Sequence, residues 1–307
     1  MTNNIYRNTG STTKSGGAGI RYLRGKTAYL GILPFLIFSG VFLLYPTWSV
    51  VTGAFQNEKG VFDTAKIHEL MKSQTVHIAF FNSLEISFKT AISGALLGGL
   101  FAWALVSGKP GGYFYKVSVA ISSVLAQFGG VMLTFAFLAT FGFNGLVSSY
   151  FAKVAPDSFL AQSAWLYGIN GLSVVYTFFQ IPLMVLVFLP TLENMKPQWR
   201  EASNSLGGRT SEYWLRVGIP VLTPSFIGAA LLLFVNSFSA YATAATLINM
   251  SDFLTPLQIA AALSSETGGA NPQEAKALSL LMVIVVIISM TFYALIRRRV
   301  SRWESSR

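Results

Sequence analysis

Six long apolar stretches divide the chain and are separated by shorter polar segments. Each comes close to the roughly 20 apolar residues that an α-helix needs to cross about 30 Å of hydrocarbon. Backbone polar groups in lipid must be satisfied within the protein, so a helix is the form expected for each stretch. The predicted membrane helices are residues 28–54, 84–107, 117–141, 172–192, 221–247 and 277–296. The pattern therefore predicts an all-α polytopic membrane protein with about six transmembrane helices.

Composition supports a membrane protein and excludes several chemistries. Of the 307 residues, 52% are hydrophobic and only 11% are charged, with a mean hydropathy of +0.53, whereas soluble proteins average about 25% charged residues. Cysteine is absent and the only histidines are His68 and His77, so neither disulfides nor a multi-histidine metal site is expected. His68-Glu69 begins like the H-E-x-x-H zinc motif, but Lys72 occupies the fifth position. We predict no catalytic residue and no metal site.

The net charge of +10 is distributed unevenly along the chain. The two termini, the loop after the second helix and the loop after the fourth hold 16 Lys or Arg residues, against five in the opposite set of loops. By the positive-inside rule, both termini then lie in the cytoplasm. Basic tails are predicted at 1–27, mostly disordered, and at 298–307, where the arginines anchor the last helix on anionic lipid. Nucleic acid is not an expected partner.

The loop between the fourth and fifth helices, residues 197–220, has the pattern of a short helix, a turn and a second helix. Pro197 suits a first helical turn, and we expect Glu201 in that same turn, where its charge complements the helix dipole. The second, amphipathic segment runs over 211–217, and Pro220 is expected to end it at the membrane. The apolar side of the first helix is formed by Ala202, Ser203 and Leu206. The turn that ends this helix is formed by Gly207 and Gly208.

These residues resemble the EAA loop of binding-protein-dependent ABC importer permeases, which reads Glu-Ala-Ala, three residues, Gly, nine residues, Ile, one residue, Leu-Pro. Glu201-Ala202-Ser203 matches its start, Gly207 stands at the required distance, and Val217-Gly218-Ile219-Pro220 ends it, with Ser203, Val217 and Ile219 as conservative departures. The resemblance implies that the loop transmits ATPase motion to the membrane helices. Its coupling residues would be Glu201, Ala202, Ser203, Leu206, Gly207, Gly208 and Pro220.

The resemblance also implies a type I ABC importer permease fold over residues 28–297, located in the bacterial inner membrane. Expected partners are a second homologous permease subunit or a second copy of this chain, two ATPase subunits and an extracytoplasmic solute-binding protein. The sequence contains no G-x-x-x-x-G-K-[ST] phosphate loop. We therefore expect a transport subunit that is not itself an enzyme and binds no cofactor, with ATP and Mg on the partner ATPases.

Polar residues inside apolar stretches are the candidates for the translocation path, although each could instead form a hydrogen bond between helices. Glu85 and Lys89 are four residues apart on one helix face and could form an ion pair or contact substrate. The path candidates are Asn236, Ser239, Tyr241, Gln127, Gln180 and Glu85.

The substrate is inferred only from resemblance. Residues 176–187 and 239–247 look more like the polyamine, iron and phosphonate branch of these permeases, so import of a small polar, polyamine-like solute is favoured. A sugar-importing ABC permease is the alternative within the family. An ion-coupled secondary transporter is the alternative from another class, and it predicts inverted repeats and transport without an ATPase.

Overall fold

The structure, a computed structural model, describes residues 27–57, 60–108, 111–248, 254–264 and 271–305, and for 27–31 and 297–305 only the backbone. Nearly all of the predicted tail at 1–27 lies outside the described residues, as do the side chains of the arginines after residue 296. In the described ranges the chain is helical, and the β-pairing found there is one isolated bridge between Gln56 and Phe62. The all-α prediction is confirmed.

Fourteen α-helices are present in the described ranges. They are α1 (Thr27–Ser39), α2 (Tyr45–Gly53), α3 (Ala65–Leu70), α4 (Gln74–Ser107), α5 (Tyr113–Gln127), α6 (Gly130–Phe141), α7 (Leu146–Val154), α8 (Ile169–Glu193), α9 (Pro197–Ser205), α10 (Thr210–Tyr213), α11 (Ile219–Phe238), α12 (Ala242–Leu247), α13 (Thr255–Leu263) and α14 (Pro272–Ser305). A 3₁₀ segment, Ser163–Tyr167, precedes α8, and π-helical turns join α1 to α2 and α10 to α11.

Six segments of the described chain are long and apolar enough to cross a membrane, which agrees with the number predicted. Their bounds are Ile32–Gly53, Gln74–Ser107, Gly130–Val154, Ile169–Glu193, Thr210–Phe238 and Pro272–Ile296. The second begins ten residues earlier than predicted, and the last helix continues to Ser305. These helix ends contain polar residues, so hydrophobicity alone could not predict the helix boundaries.

Two of the predicted membrane helices are interrupted, and this corrects the prediction of continuous helices at 117–141 and 221–247. The first breaks at Phe128 and Gly129, and it resumes at Gly130, whose φ of +67° is a left-handed value that favours glycine. The second breaks between Phe238 and Ala242. Glycine and isolated polar residues also occur inside continuous membrane helices, so hydrophobic periodicity could not reveal these breaks.

The described residues divide into two compact units, with the boundary between Ser49 and Val50. In the first unit, α1 passes through the π-helical turn Gly40–Leu44 into α2, and Phe38 packs against Phe42. The second unit is built around α4, α8 and α11. Gly94 and Gly98 of α4 lie directly against Gln180 and Met184 of α8, a close approach that only small residues allow.

Two hydrophobic clusters fill the core of the second unit. One surrounds the buried Tyr176 of α8 and reaches Leu133 of α6 and Leu247 of α12. The other joins Met184 of α8 and Leu233 of α11 and extends to the segment before α11. The first cluster therefore supports the interrupted helices, whereas the second supports the loop that resembles the EAA motif.

Candidate functional site

The first helix of the loop, α9, has no buried residue. Pro197 is its first residue, as predicted, but Glu201 is the fifth and lies in the second turn, so the prediction of a first-turn acid was wrong. Trp199 and Ser203, four residues apart, form the half-buried side. Because successive residues rotate by about 100° around a helix, Glu201 points away from that side and is exposed.

The turn after α9 is closed by a Schellman motif, in agreement with the predicted glycine turn. The N–H of Gly208 donates to the carbonyl of Ser203 (2.9 Å), and the N–H of Gly207 donates to that of Asn204 (3.0 Å). Gly207 has a φ of +79°, which explains its place in the pattern. Leu206 is left 89% exposed beside the turn. The loop therefore presents a rigid helix end whose apolar tip has no partner among the described residues.

The second half of the loop is continuous with a membrane helix. The Glu212 carboxylate accepts a hydrogen bond from the backbone N–H of Arg209 (3.0 Å) and so fixes the start of α10. A π-helical turn, Trp214–Gly218, then leads directly into α11. Pro220 is the second residue of α11 and follows the π-helical turn inside this continuous helix, so the prediction that it ends a helix was wrong.

Aromatic side chains fix this continuous helix to the core. Tyr213 is buried, and the Trp214 ring packs edge-on against Trp103 of α4 with centroids 6.1 Å apart. A Cβ at Gly218 would lie 2.5 Å from the Trp214 ring. Glycine at this position therefore makes room for the tryptophan, and movement of the loop would be transmitted directly to α11 and α4.

A polar contact braces the base of the loop. The Tyr115 hydroxyl, near the start of α5, donates a hydrogen bond to the Glu193 carboxylate at the end of α8. This bond, with partial burial and the negative charge of Glu193, raises the pKa of Tyr115 to about 12. The hydroxyl therefore keeps its proton at neutral pH and continues to donate.

The two interrupted helices meet at their breaks. A Cβ at Gly130 would lie 3.5 Å from the Cβ of Ala242, which is van der Waals contact. The Thr134 hydroxyl also faces the Thr243 carbonyl, at 3.5 Å. We call the residues 128–130 and 239–242 the helix junction. Broken helices that meet inside a membrane protein leave backbone groups free and are typical of translocation paths.

Four of the six predicted path residues lie at or next to the helix junction. Gln127 immediately precedes the first break, Ser239 and Tyr241 lie in the second, and Asn236 is one helical turn before it. All four are exposed, and Tyr241 is 46% exposed. Because a polar side chain facing lipid is unfavourable, these groups require water, solute or a partner chain beside them.

The other two predicted path residues lie elsewhere. Gln180 is fully buried and donates to the Thr90 hydroxyl (3.1 Å), which in turn contacts the Ser237 hydroxyl (2.9 Å). Gln180 therefore forms a hydrogen bond between helices, which was the alternative to a place in the translocation path. Glu85 forms an ion pair with Lys89 on the surface of α4.

The sequence argument missed Tyr176 and Thr134, whose hydroxyls donate to carbonyls of the helix junction, those of Ala240 and Gly130. In the sequence, Tyr176 entered only as the first residue of the segment 176–187 that resembles one substrate branch. Its hydroxyl donates to the Ala240 carbonyl, a backbone atom that the sequence pattern cannot place.

Comparisons with known proteins fit this architecture. No protein-family model matches the chain. It is 27% identical over 222 residues to the sulfate transport system permease protein CysT of Escherichia coli K12, covering 72% of this chain and 74% of that protein. It is also 26% identical over 163 residues to the molybdenum transport system permease protein ModB of Mycobacterium bovis, covering 52% of this chain and 56% of that one.

Solved structures share the fold. A chain of a bacterial alginate ABC transporter, crystallised in complex with an alginate pentasaccharide-bound periplasmic protein, superposes with a TM-score of 0.66 at 17% identity, over 89% of this chain and 94% of that one. The methionine ABC transporter MetNI, in an inward-facing conformation, gives 0.54 at 16% identity, over 72% and 94%. This chain has the type I ABC importer permease fold.

The resemblance to ABC importer permeases is thus confirmed, and its branch stays open. The polyamine-like branch that the sequence favoured finds no support, since the relatives named above belong to sulfate and molybdenum systems. The permease fold and six apolar helices support a multi-pass inner-membrane protein.

Proposed function

We propose that this chain is the permease subunit of a type I ABC importer, pairs with a second permease chain, and imports a small anion delivered by an extracytoplasmic binding protein. Two separate ATPase subunits supply the energy, with ATP and Mg bound there. Both termini and the loop 197–220 face the cytoplasm. The observation that carries the proposal is the capped helix α9, which has no buried residue and is joined through an aromatic anchor to α11 and α4.

The coupling function follows from the rigidity of this connection. The Schellman turn at Gly207 and Gly208 fixes α9 against α10, and α10 continues without interruption into α11. A displacement of α9 by a closing ATPase is therefore carried into a membrane helix that reaches the helix junction. Glu201 and Leu206, both exposed, are the side chains that would enter a groove on the ATPase.

Removal of the apolar tip tests the coupling function. Leu206→Asp should abolish co-purification of the ATPase with the permease in mild detergent, because it places a charge in a buried apolar contact. Leu263→Asp is the matched control, since Leu263 is also exposed, 58%, but ends α13. Retention of the ATPase by Leu206→Asp, with normal uptake, would contradict the docking role of this tip, whereas uptake by the unaltered chain with no co-purifying ATPase would favour a secondary transporter.

The proposed anion is supported by the chemistry of the helix junction. Its exposed side chains are neutral, and Gln127, Asn236 and Tyr241 are able to donate hydrogen bonds, whereas the Ser239 hydroxyl donates to the Val235 carbonyl (2.9 Å). No carboxylate lies among the described junction residues, as a polycation would require. The relatives named above belong to a sulfate and a molybdenum transport system, and sulfate is an anion.

Uptake measurements distinguish the substrate classes. The complete transporter with its binding protein, reconstituted in liposomes, should take up sulfate or molybdate, and spermidine or maltose should not compete. Asn236→Ala should raise the substrate concentration needed for half-maximal uptake. Transport of spermidine alone would show that the path accepts cations and would reject the anion proposal.

A further inference from the structure

One backbone carbonyl at the helix junction has a side-chain partner from a third helix. The Tyr176 hydroxyl donates to the carbonyl oxygen of Ala240 at 2.6 Å. Ala240 lies between α11 and α12, and no backbone donor reaches its carbonyl among the described residues. An unsatisfied carbonyl inside a membrane is strongly unfavourable. The Tyr176 hydroxyl therefore makes this break compatible with its surroundings.

Tyr176 is itself firmly held. It is 1% exposed, belongs to the cluster that supports α6 and α12, and packs edge-on against Phe179 with centroids 5.6 Å apart. The ring cannot change position without disturbing this cluster. Its hydroxyl is thus a fixed point from which the position of Ala240 is set.

The neighbours of Ala240 give this contact a functional meaning. Ser239 and Tyr241 flank it and are exposed, whereas Ala240 is only half-buried against the cluster. Fixing the Ala240 carbonyl sets the direction in which both side chains point. We infer that Tyr176 is a positioning residue, whose hydroxyl holds the break between α11 and α12 so that Ser239 and Tyr241 face the translocation path. This inference rests on the proposed function.

Thiol labelling tests the inference directly because the chain contains no cysteine. Ser239→Cys introduces a single thiol into this chain, and a water-soluble, membrane-impermeant methanethiosulfonate applied to the complete transporter reports its exposure to water through the label found on this chain alone. Tyr176→Phe keeps the ring and removes only the hydroxyl. Loss of one neutral hydrogen bond should change the labelling rate at position 239 roughly fivefold.

Tyr293→Phe provides the control, because Tyr293 of α14 packs on Gly228, away from the helix junction. It should leave the labelling rate unchanged. Thr134→Val removes the hydroxyl contacts to the Gly130 carbonyl (3.1 Å) and the Thr243 carbonyl (3.5 Å), and it should change labelling by a smaller but still measurable factor than Tyr176→Phe. This second variant also keeps the inference testable if Tyr176→Phe fails to assemble, since no effect of Thr134→Val would then count against it.

The possible results separate the inference from the proposed function. A change in labelling with Tyr176→Phe, together with a shift in the half-saturating substrate concentration, supports the positioning role. Equal labelling in both backgrounds overturns it and leaves the path intact. Absence of labelling at position 239 in every background shows that no water reaches this residue, and it overturns both.

Discussion

The contact between α4 and α8 gives a sharp prediction, because two adjacent glycines of α4 differ in what a methyl group would meet. A Cβ at Gly98 would lie 2.6 Å from the carbonyl oxygen of Ile181, whereas at Gly99 it would lie 2.9 Å from the ring of Phe226. The carbonyl belongs to the backbone of α8 and cannot rotate away. The ring of Phe226 can turn aside.

Both Gly98→Ala and Gly99→Ala gain helix propensity of about 1 kcal/mol, so this term cancels when the two variants are compared. Overpacking a rigid contact costs about 1–3 kcal/mol. Gly98→Ala should therefore be less stable than Gly99→Ala by a similar amount.

Thermal unfolding of the purified transporter in detergent, followed by tryptophan fluorescence, checks this order. The wild-type protein provides the reference Tm, and both variants should still assemble. A Tm for Gly98→Ala equal to or above that of Gly99→Ala would refute the close packing of α4 on α8, and with it the geometry that brings Gln180 to Thr90.

Two further predictions concern the loop. Gly207→Ala should loosen the turn after α9, because a left-handed backbone conformation costs about 1–2 kcal/mol in a residue other than glycine. Gly207→Asn should be less destabilising. Hydrogen exchange of the α9 amides measures both variants, and equal exchange would contradict the turn geometry. Tyr115→Phe should lower Tm by the same amount at pH 6 and pH 9. Because the pKa of Tyr115 is raised, its hydrogen bond to Glu193 is complete below about pH 10 and is lost only as the pH rises towards about 12. A penalty that changes between pH 6 and pH 9 would show that another group titrates there.

The linear pattern was sufficient for the features that depend on local chemistry. Apolar length predicted six spans, and the glycine pair after α9 predicted the turn, since a left-handed residue is a property of the backbone at that position. The pattern gave Glu201 the wrong turn of the helix and Pro220 the wrong role. A proline that ends a helix and a proline that follows a π-helical turn inside a helix look alike in sequence, and only the structure distinguishes them.

Tertiary structure decided which polar residues share a site. Gln180 and Asn236 are both polar residues in apolar segments, yet one is fully buried against Thr90 and the other is exposed beside the helix junction. Likewise, the bond from Tyr176 to Ala240 joins residues on different helices. The sequence by itself determined a six-span all-α chain with a coupling-type loop, because membrane length and turn chemistry are local. The breaks and their partners were settled only by packing, because a free carbonyl can persist in a membrane only where another helix supplies a donor.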